Sequence, residues 1–110
     1  MTSESPWDLS SIVPQLMEFR HERDWEQFHR PKELAAAIAI EAAELQELFL
    51  WKEGESAGEI RNDKERIREI SDEIADILIY ALYLTNDLGI DLREAVKMKI
   101  EKNRTRKDAF

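Results

Sequence analysis

The chain has 110 residues, 43% of them hydrophobic and 36% charged, with three Gly, three Pro and no Cys. That length fits one domain, and the mixture is too apolar for a disordered chain and too poor in Gly and Pro for an all-β one. A net charge of −8 opposes binding to polymeric nucleic acid or an anionic membrane, leaves a small anion accessible through a bridging divalent cation, and without Cys there is no disulfide or thiolate metal site.

The start, MTSESPWDLSS, has neither a basic segment nor an apolar core, so no signal peptide is expected. No apolar run is long enough to span a bilayer. The expectation is a soluble, cytoplasmic protein. The first helix is expected from Ser10 or Ser11 to about Arg23, with Pro14 tolerated in its first turn and Ile12, Leu16 and Phe19 as its apolar stripe. Asp24 to Arg30 lacks periodicity and reads as a loop. Pro31 opens a second helix reaching about Lys52. Glu53 to Arg61, with Gly54, Ser56 and Gly58, reads as a connector. Asn62 with Glu65 suggests a capping box for a third helix, which runs to about Leu88 and stops at Gly89. Asp91 with Glu94 repeats the box for a fourth helix ending near Asn103, followed by a short basic tail expected to fray. The expected fold is one all-α, four-helix bundle-like domain over residues 1–110, with its ordered core at about 10–104 and neighbouring helices antiparallel.

Two of these helices carry acids where apolar residues belong. At about 100° per residue, Leu34, Ile38, Leu45 and Leu48 all lie within about 60° of Glu41. Glu41 thus sits in mid-stripe, Glu44 at the stripe's edge one turn on, and Glu47 on the polar side. On the third helix, Ile70, Ile77, Tyr80 and Leu84 surround Glu73 in the same way, and Asp76 lies at the edge. Each helix therefore presents an i, i+3 acid pair on one face. Buried carboxylates repel one another and cost several kcal/mol each when unpaired. A hard cation removes the conflict, and an all-oxygen donor set selects Mg²⁺ or Mn²⁺. An isolated acid pair on a helix this charged is more often a solvated face, as for Glu65, Glu69 and Asp72. Two pairs centred on apolar stripes favour a metal site.

The run Glu41-Ala-Ala-Glu44 followed by Glu73-Ile-Ala-Asp76 resembles the acid motifs of the all-α nucleoside triphosphate pyrophosphohydrolases of the MazG superfamily. Glu22-Arg-Asp-Trp-Glu-Gln-Phe-His29, Glu44-Leu-Gln-Glu-Leu-Phe-Leu-Trp-Lys52, Asp76-Ile-Leu-Ile-Tyr80 and the segment from Lys99 to Arg104 are similar to the dCTP pyrophosphatase-like branch. The likeness spans about Ile12 to Arg104. It implies that Glu41, Glu44, Glu73 and Asp76 hold Mg²⁺, and that a metal-activated water attacks the α-phosphorus of a nucleoside triphosphate to release pyrophosphate. It implies a role for Glu47, the third acid of the extended motif, in ligating a second ion or orienting the water. It implies substrate contacts from Trp25 and Trp51 around the base, Tyr80 near the sugar, Lys99 and Asn103 at the phosphates, and His29 among the substrate-binding residues. It also implies a homo-oligomer, most simply a tetramer built from two dimers, in which Trp25 or Trp51 of one chain approaches the acids of another. The apolar surplus of the third helix, Leu78, Ile79, Leu82 and Tyr83, points the same way. Two departures stand out: Ala42 and Ala43 replace glycines common in the branch, and Leu16 replaces a polar, base-reading side chain of some relatives. With so short a tail, no lid formed by it is expected.

Two other classes compete. Glu18-x-x-His21 and Glu26-x-x-His29 formally match a di-iron bundle motif, but the copies are eight residues apart and cannot face each other across a bundle. A non-enzymatic interaction module accounts for the helices and the charge and leaves Glu41 and Glu73 unexplained.

Overall fold

A computed structural model describes residues 5–106. The described residues are all-α: α1 (Ile12–Glu22), α2 (Pro31–Glu47), α3 (Ala57–Arg61), α4 (Lys64–Asp87) and α5 (Leu92–Arg104), with a 3₁₀ turn at Glu26–Phe28. The last four residues of the basic tail lie outside the described range. No helix among the described residues is long and apolar enough to cross a membrane.

The long helix α4 is the scaffold. It packs chiefly along α2, and α3 and α1 lie against it. Its inner line repeats every seven residues as Arg66, Glu73, Tyr80 and Asp87, interleaved with Ile70, Ile77 and Leu84. A seven-residue repeat keeps one seam facing a partner helix over many turns. The stripe of α2 meets this seam: Leu34 is fully buried, and Ile38, Glu41, Leu45 and Leu48 are half-buried.

Local chemistry sets the ends. Asp63 caps α4 by accepting from the Arg66 N–H at 3.2 Å. The cap therefore falls one residue after the expected Asn62, which instead closes the additional helix α3. That helix has its own cap, Ser56 Oγ accepting from the Glu59 N–H at 3.2 Å. Gly58 disguised this Ser56-x-x-Glu59 start as connector. Helix α4 ends as expected: Gly89 takes φ +67°, and the Ile90 N–H reaches the Thr85 carbonyl at 2.9 Å, a Schellman closure that needs a residue tolerant of positive φ. Asp91 caps α5 through the Glu94 N–H at 3.0 Å.

Helix α2 stops five residues short of expectation. The Leu48, Phe49 and Leu50 N–H groups bond to carbonyls three residues back, tightening the last turn, and Trp51 then turns left-handed at φ +66°. The apolar surplus of α4 also differs from expectation. Leu82 and Tyr83 are buried within the chain, Tyr83 donating its hydroxyl to the Leu16 carbonyl of α1 at 3.0 Å. What remains outside is Ile67, Ile74 and Leu78, with Ile74 44% exposed.

Candidate metal centre and adjoining cleft

The α2–α4 seam brings Glu41, Glu73 and Asp76 together, with one carboxylate oxygen of each inside a 4.8 Å cluster. All three are half-buried. Glu41 Oε2 and Glu73 Oε2 are buried and receive no hydrogen bond. Facing Glu73 within hydrogen-bond reach, shielded from water, and close to Glu44 and Asp76, the Glu41 carboxyl is pushed up to about 7. The neighbouring carboxylates and the loss of water thus favour its protonated form. Orphaned, hard, like-charged oxygens converging from two helices fit a divalent cation such as Mg²⁺. Glu44 is exposed at the rim, facing Glu41 but outside the three-residue cluster. Glu47 is exposed a further turn along.

Asp76 also belongs to a cleft of about 230 Å³, lined by Leu16, Phe19, Trp25, His29, Ile79, Tyr80 and Tyr83. The lining is an aromatic run. Phe19 meets Trp25 edge-on at 5.3 Å between ring centres. Trp25 meets His29 at 5.9 Å, and His29 meets Tyr80 at 6.4 Å and Tyr83 at 5.1 Å. Trp25 thus shares a cleft with Asp76 of its own chain. Burial, with repulsion from Arg20, lowers the His29 pKa and keeps the ring neutral. Its Nδ1 is buried without a partner.

Behind the cleft, Arg20 donates to both oxygens of Asp87 at 2.8 Å, and its guanidinium lies 4.7 Å from the Tyr83 ring centre. This pair braces α1 against the end of α4, so that Leu16 and Phe19 of α1 form one wall. The sequence reading did not single out Arg20, Asp87 or Tyr83 for the site. For Arg20 and Asp87 the signal was charge set into an apolar stripe, the same signal that revealed the acids; Tyr83 carried none.

Other expected site residues are not gathered here. Trp51 is 94% exposed, Lys99 is exposed on α5, and Asn103 is half-buried with Oδ1 unpartnered. None of the three lines the cleft. Neither histidine joins a group of three or more metal-ligating side chains among the described residues, which removes the di-iron geometry.

The chain is similar to proteins already known. Residues 36–109 match the MazG-like family. dCTP pyrophosphatase 1 from Bos taurus is 43% identical over 89 residues, covering 81% of this chain and 53% of that protein. The Homo sapiens protein of the same name is 43% identical over 90 residues, covering 81% and 52%. The chain thus spans about half the length of the curated relatives it matches. A pyrophosphatase of known crystal structure from Archaeoglobus fulgidus superposes with a TM-score of 0.77 at 39% identity, covering 98% of this chain and 99% of that one. With its acids on α2 and α4 inside the matched region, the chain belongs to the MazG-like family.

Proposed function

We propose that the chain is a Mg²⁺-dependent nucleoside triphosphate pyrophosphohydrolase. It converts a deoxynucleoside triphosphate of the dCTP type, canonical or base-modified, to monophosphate and pyrophosphate, and so cleans the cytoplasmic nucleotide pool. The observation that carries this reading is the double membership of Asp76: one carboxylate serves both the acid cluster and the aromatic cleft. A ligand spanning the two has an anionic end needing a cation beside a flat, largely apolar end, which describes a nucleotide. The names of the relatives support the reaction class and the cytosine preference.

Glu41, Glu73 and Asp76, completed by Glu44 at the rim, would hold Mg²⁺, or Mn²⁺ with the same hard donors. When bound, the cation neutralises phosphate oxygens and acidifies water for an in-line displacement at the α-phosphorus. The chain's own groups do the rest. Trp25 offers a stacking face, worth about 1–3 kcal/mol for a base. His29, neutral, offers Nδ1 as an acceptor. Tyr80 lies between the cleft's aromatic run and the seam and is assigned the sugar. Glu47 is assigned an outer role, toward a second ion or the attacking water.

Lys99, Asn103 and Trp51 are assigned to substrate across a subunit boundary, in a homotetramer built as a dimer of dimers. Exposed Ile67, Ile74 and Leu78 on α4 and Ile40 on α2 support that assembly, each gaining about half of the roughly 1.5–3 kcal/mol of a full burial if covered by a neighbour. The deciding experiment is a panel of canonical and modified nucleoside triphosphates with Mg²⁺ in oxygen-18 water. Monophosphate carrying the label, with unlabelled pyrophosphate, is expected. Diphosphate and orthophosphate as products would reject the reading.

A further inference from the structure

Arg66 sits at the first turn of α4 and is 9% exposed. A guanidinium this enclosed must have each face and edge satisfied. Nη1 donates to the Leu48 carbonyl at 2.6 Å, which is the orphan acceptor at the end of α2. Nη2 and Nε donate to the two oxygens of Glu55 at 2.6 and 3.3 Å. The flat face lies 5.1 Å from the Phe49 ring centre. All of these partners flank one residue, Trp51: Leu48 and Phe49 precede it and Glu55 follows it.

Among the described residues, no side chain anchors the Trp51 indole. Its indole is 94% exposed, and its backbone is left-handed at φ +66°, an uncommon state for a bulky side chain that persists only where the surroundings over-determine it. The surroundings that do so are the two ends of the 48–55 segment, both held by Arg66. An exposed aromatic on a loop held at both ends is prepared to meet a ligand or a neighbouring chain rather than to fold inward.

We propose that Arg66 is a positioning residue for substrate binding, clamping the 48–55 loop so that Trp51 is presented to the nucleobase. This rests on the assignment of Trp51 to substrate made above. Arg66 acts through geometry: the planar fork serves Leu48 and Glu55 at once, which a lysine ammonium cannot do.

The test is a double-mutant cycle on the intact protein, read as KM and kcat for the best triphosphate. Trp51→Ala is expected to raise KM by about five- to a hundredfold, the range of one lost stacking contact, with kcat nearly unchanged. Arg66→Met is expected to raise KM to a similar degree. The double variant is expected to be no worse than Trp51→Ala alone, and Arg66→Lys to recover only part of the loss. If Arg66→Met fails to fold, Glu55→Gln replaces it in the cycle with a smaller rise. A KM unmoved by Trp51→Ala would reject the Trp51 assignment and the proposal with it. Sensitivity to Trp51→Ala with a normal KM in the Arg66 or Glu55 variant would leave the assignment standing and overturn the proposal, as would additive losses in the double variant.

Discussion

The inner seam of α4 carries charge at its beginning, middle and end, and the middle charge is treated differently from the two at the ends. At the ends, Arg66 meets Glu55 and Asp87 meets Arg20, each with opposite charge and multiple hydrogen bonds. In the middle, Glu73 faces Glu41, acid against acid, and one oxygen of each, Oε2, is buried without a hydrogen-bond partner. All three positions belong to the same heptad line, so the backbone environment is nearly constant and the contrast is one of partners. A buried charge that is fully paired holds helices together. A buried charge deliberately left facing its own kind is a place for something the chain does not supply.

The largest expected effect breaks this contrast from the middle. Glu41→Gln should cut Mg²⁺-dependent turnover by about 10²–10³-fold, the scale of losing one preorganised electrostatic contact, yet leave the protein folded and its metal-free form at least as stable near neutral pH, because a like charge is gone. Asp87→Asn should do the reverse, costing about 3 kcal/mol of stability by stranding Arg20 while Mg²⁺ still binds. Kinetics and thermal melts of both variants decide the matter. An Asp87 variant that loses Mg²⁺ binding but no stability would erase the distinction between the two regions.

Next in size is assembly. The inner seam is satisfied by α2, but a second apolar line, Ile67, Ile74 and Leu78, runs roughly 120° around α4 and stays exposed. Ile74→Asp should therefore reduce the particle mass in light scattering towards the 12.9 kDa of one chain. A wild-type protein that is already a stable, active monomer would remove the proposed shared site.

The seam's two kinds of charge also predict opposite responses to pH. Glu41 is raised from 4.5 to about 7, so the metal-free folded state holds a proton that the unfolded state gives up. Its contribution is complete below 4.5 and is lost as pH rises towards 7. The guanidinium of Arg20 lowers Asp87 below its ordinary 3.8 despite burial. Its contribution is complete above 3.8 and is lost as acid drives pH through the lowered value. Melting temperatures of metal-free protein should thus fall from both directions, and Mg²⁺ should restore only the neutral side, with a proton released on binding below about pH 7. A neutral-side fall that persists in Glu41→Gln would assign the effect elsewhere.

How much of this was legible from sequence follows from the range of each interaction. Helix stripes and the Asp91 and Gly89 boundaries depend on neighbours within a few positions, and they were readable. So was the acid cluster, because Glu41 and Glu73 contradict their own stripes. Arg20 and Asp87 contradict theirs too, but their meaning depends on a contact 67 residues apart in sequence, and only the fold discloses that each cancels the other. The end of α2 was misjudged for the same reason. Leu48 to Lys52 continues a good helical pattern, but the turn tightens from Leu48 onward and Arg66, 18 residues away, takes the Leu48 carbonyl. Tyr83 looked like surplus for a second chain because its hydroxyl's acceptor, the Leu16 carbonyl, is a backbone atom no side-chain pattern announces.

The smallest expected effect marks the outer limit of the unpaired region. Glu47 is the last residue of α2, exposed and about 120° away from Glu41 on the helical wheel. It is outside the cluster that Glu41 forms with Glu73 and Asp76, and water already screens its charge. Its contribution must then pass through solvent or a second, more weakly held ion. Glu47→Gln should reduce activity by about tenfold, as removal of an outer-shell partner does, and the loss should shrink as Mg²⁺ is raised, since saturation compensates for a weakened second site. A Mg²⁺ titration of the variant reads both quantities. If Glu47→Gln were as damaging as Glu41→Gln at every Mg²⁺ concentration, Glu47 would belong to the primary ligand set. The carboxylate centre would then extend a full turn beyond the seam, and burial would no longer separate its essential acids from its auxiliary ones.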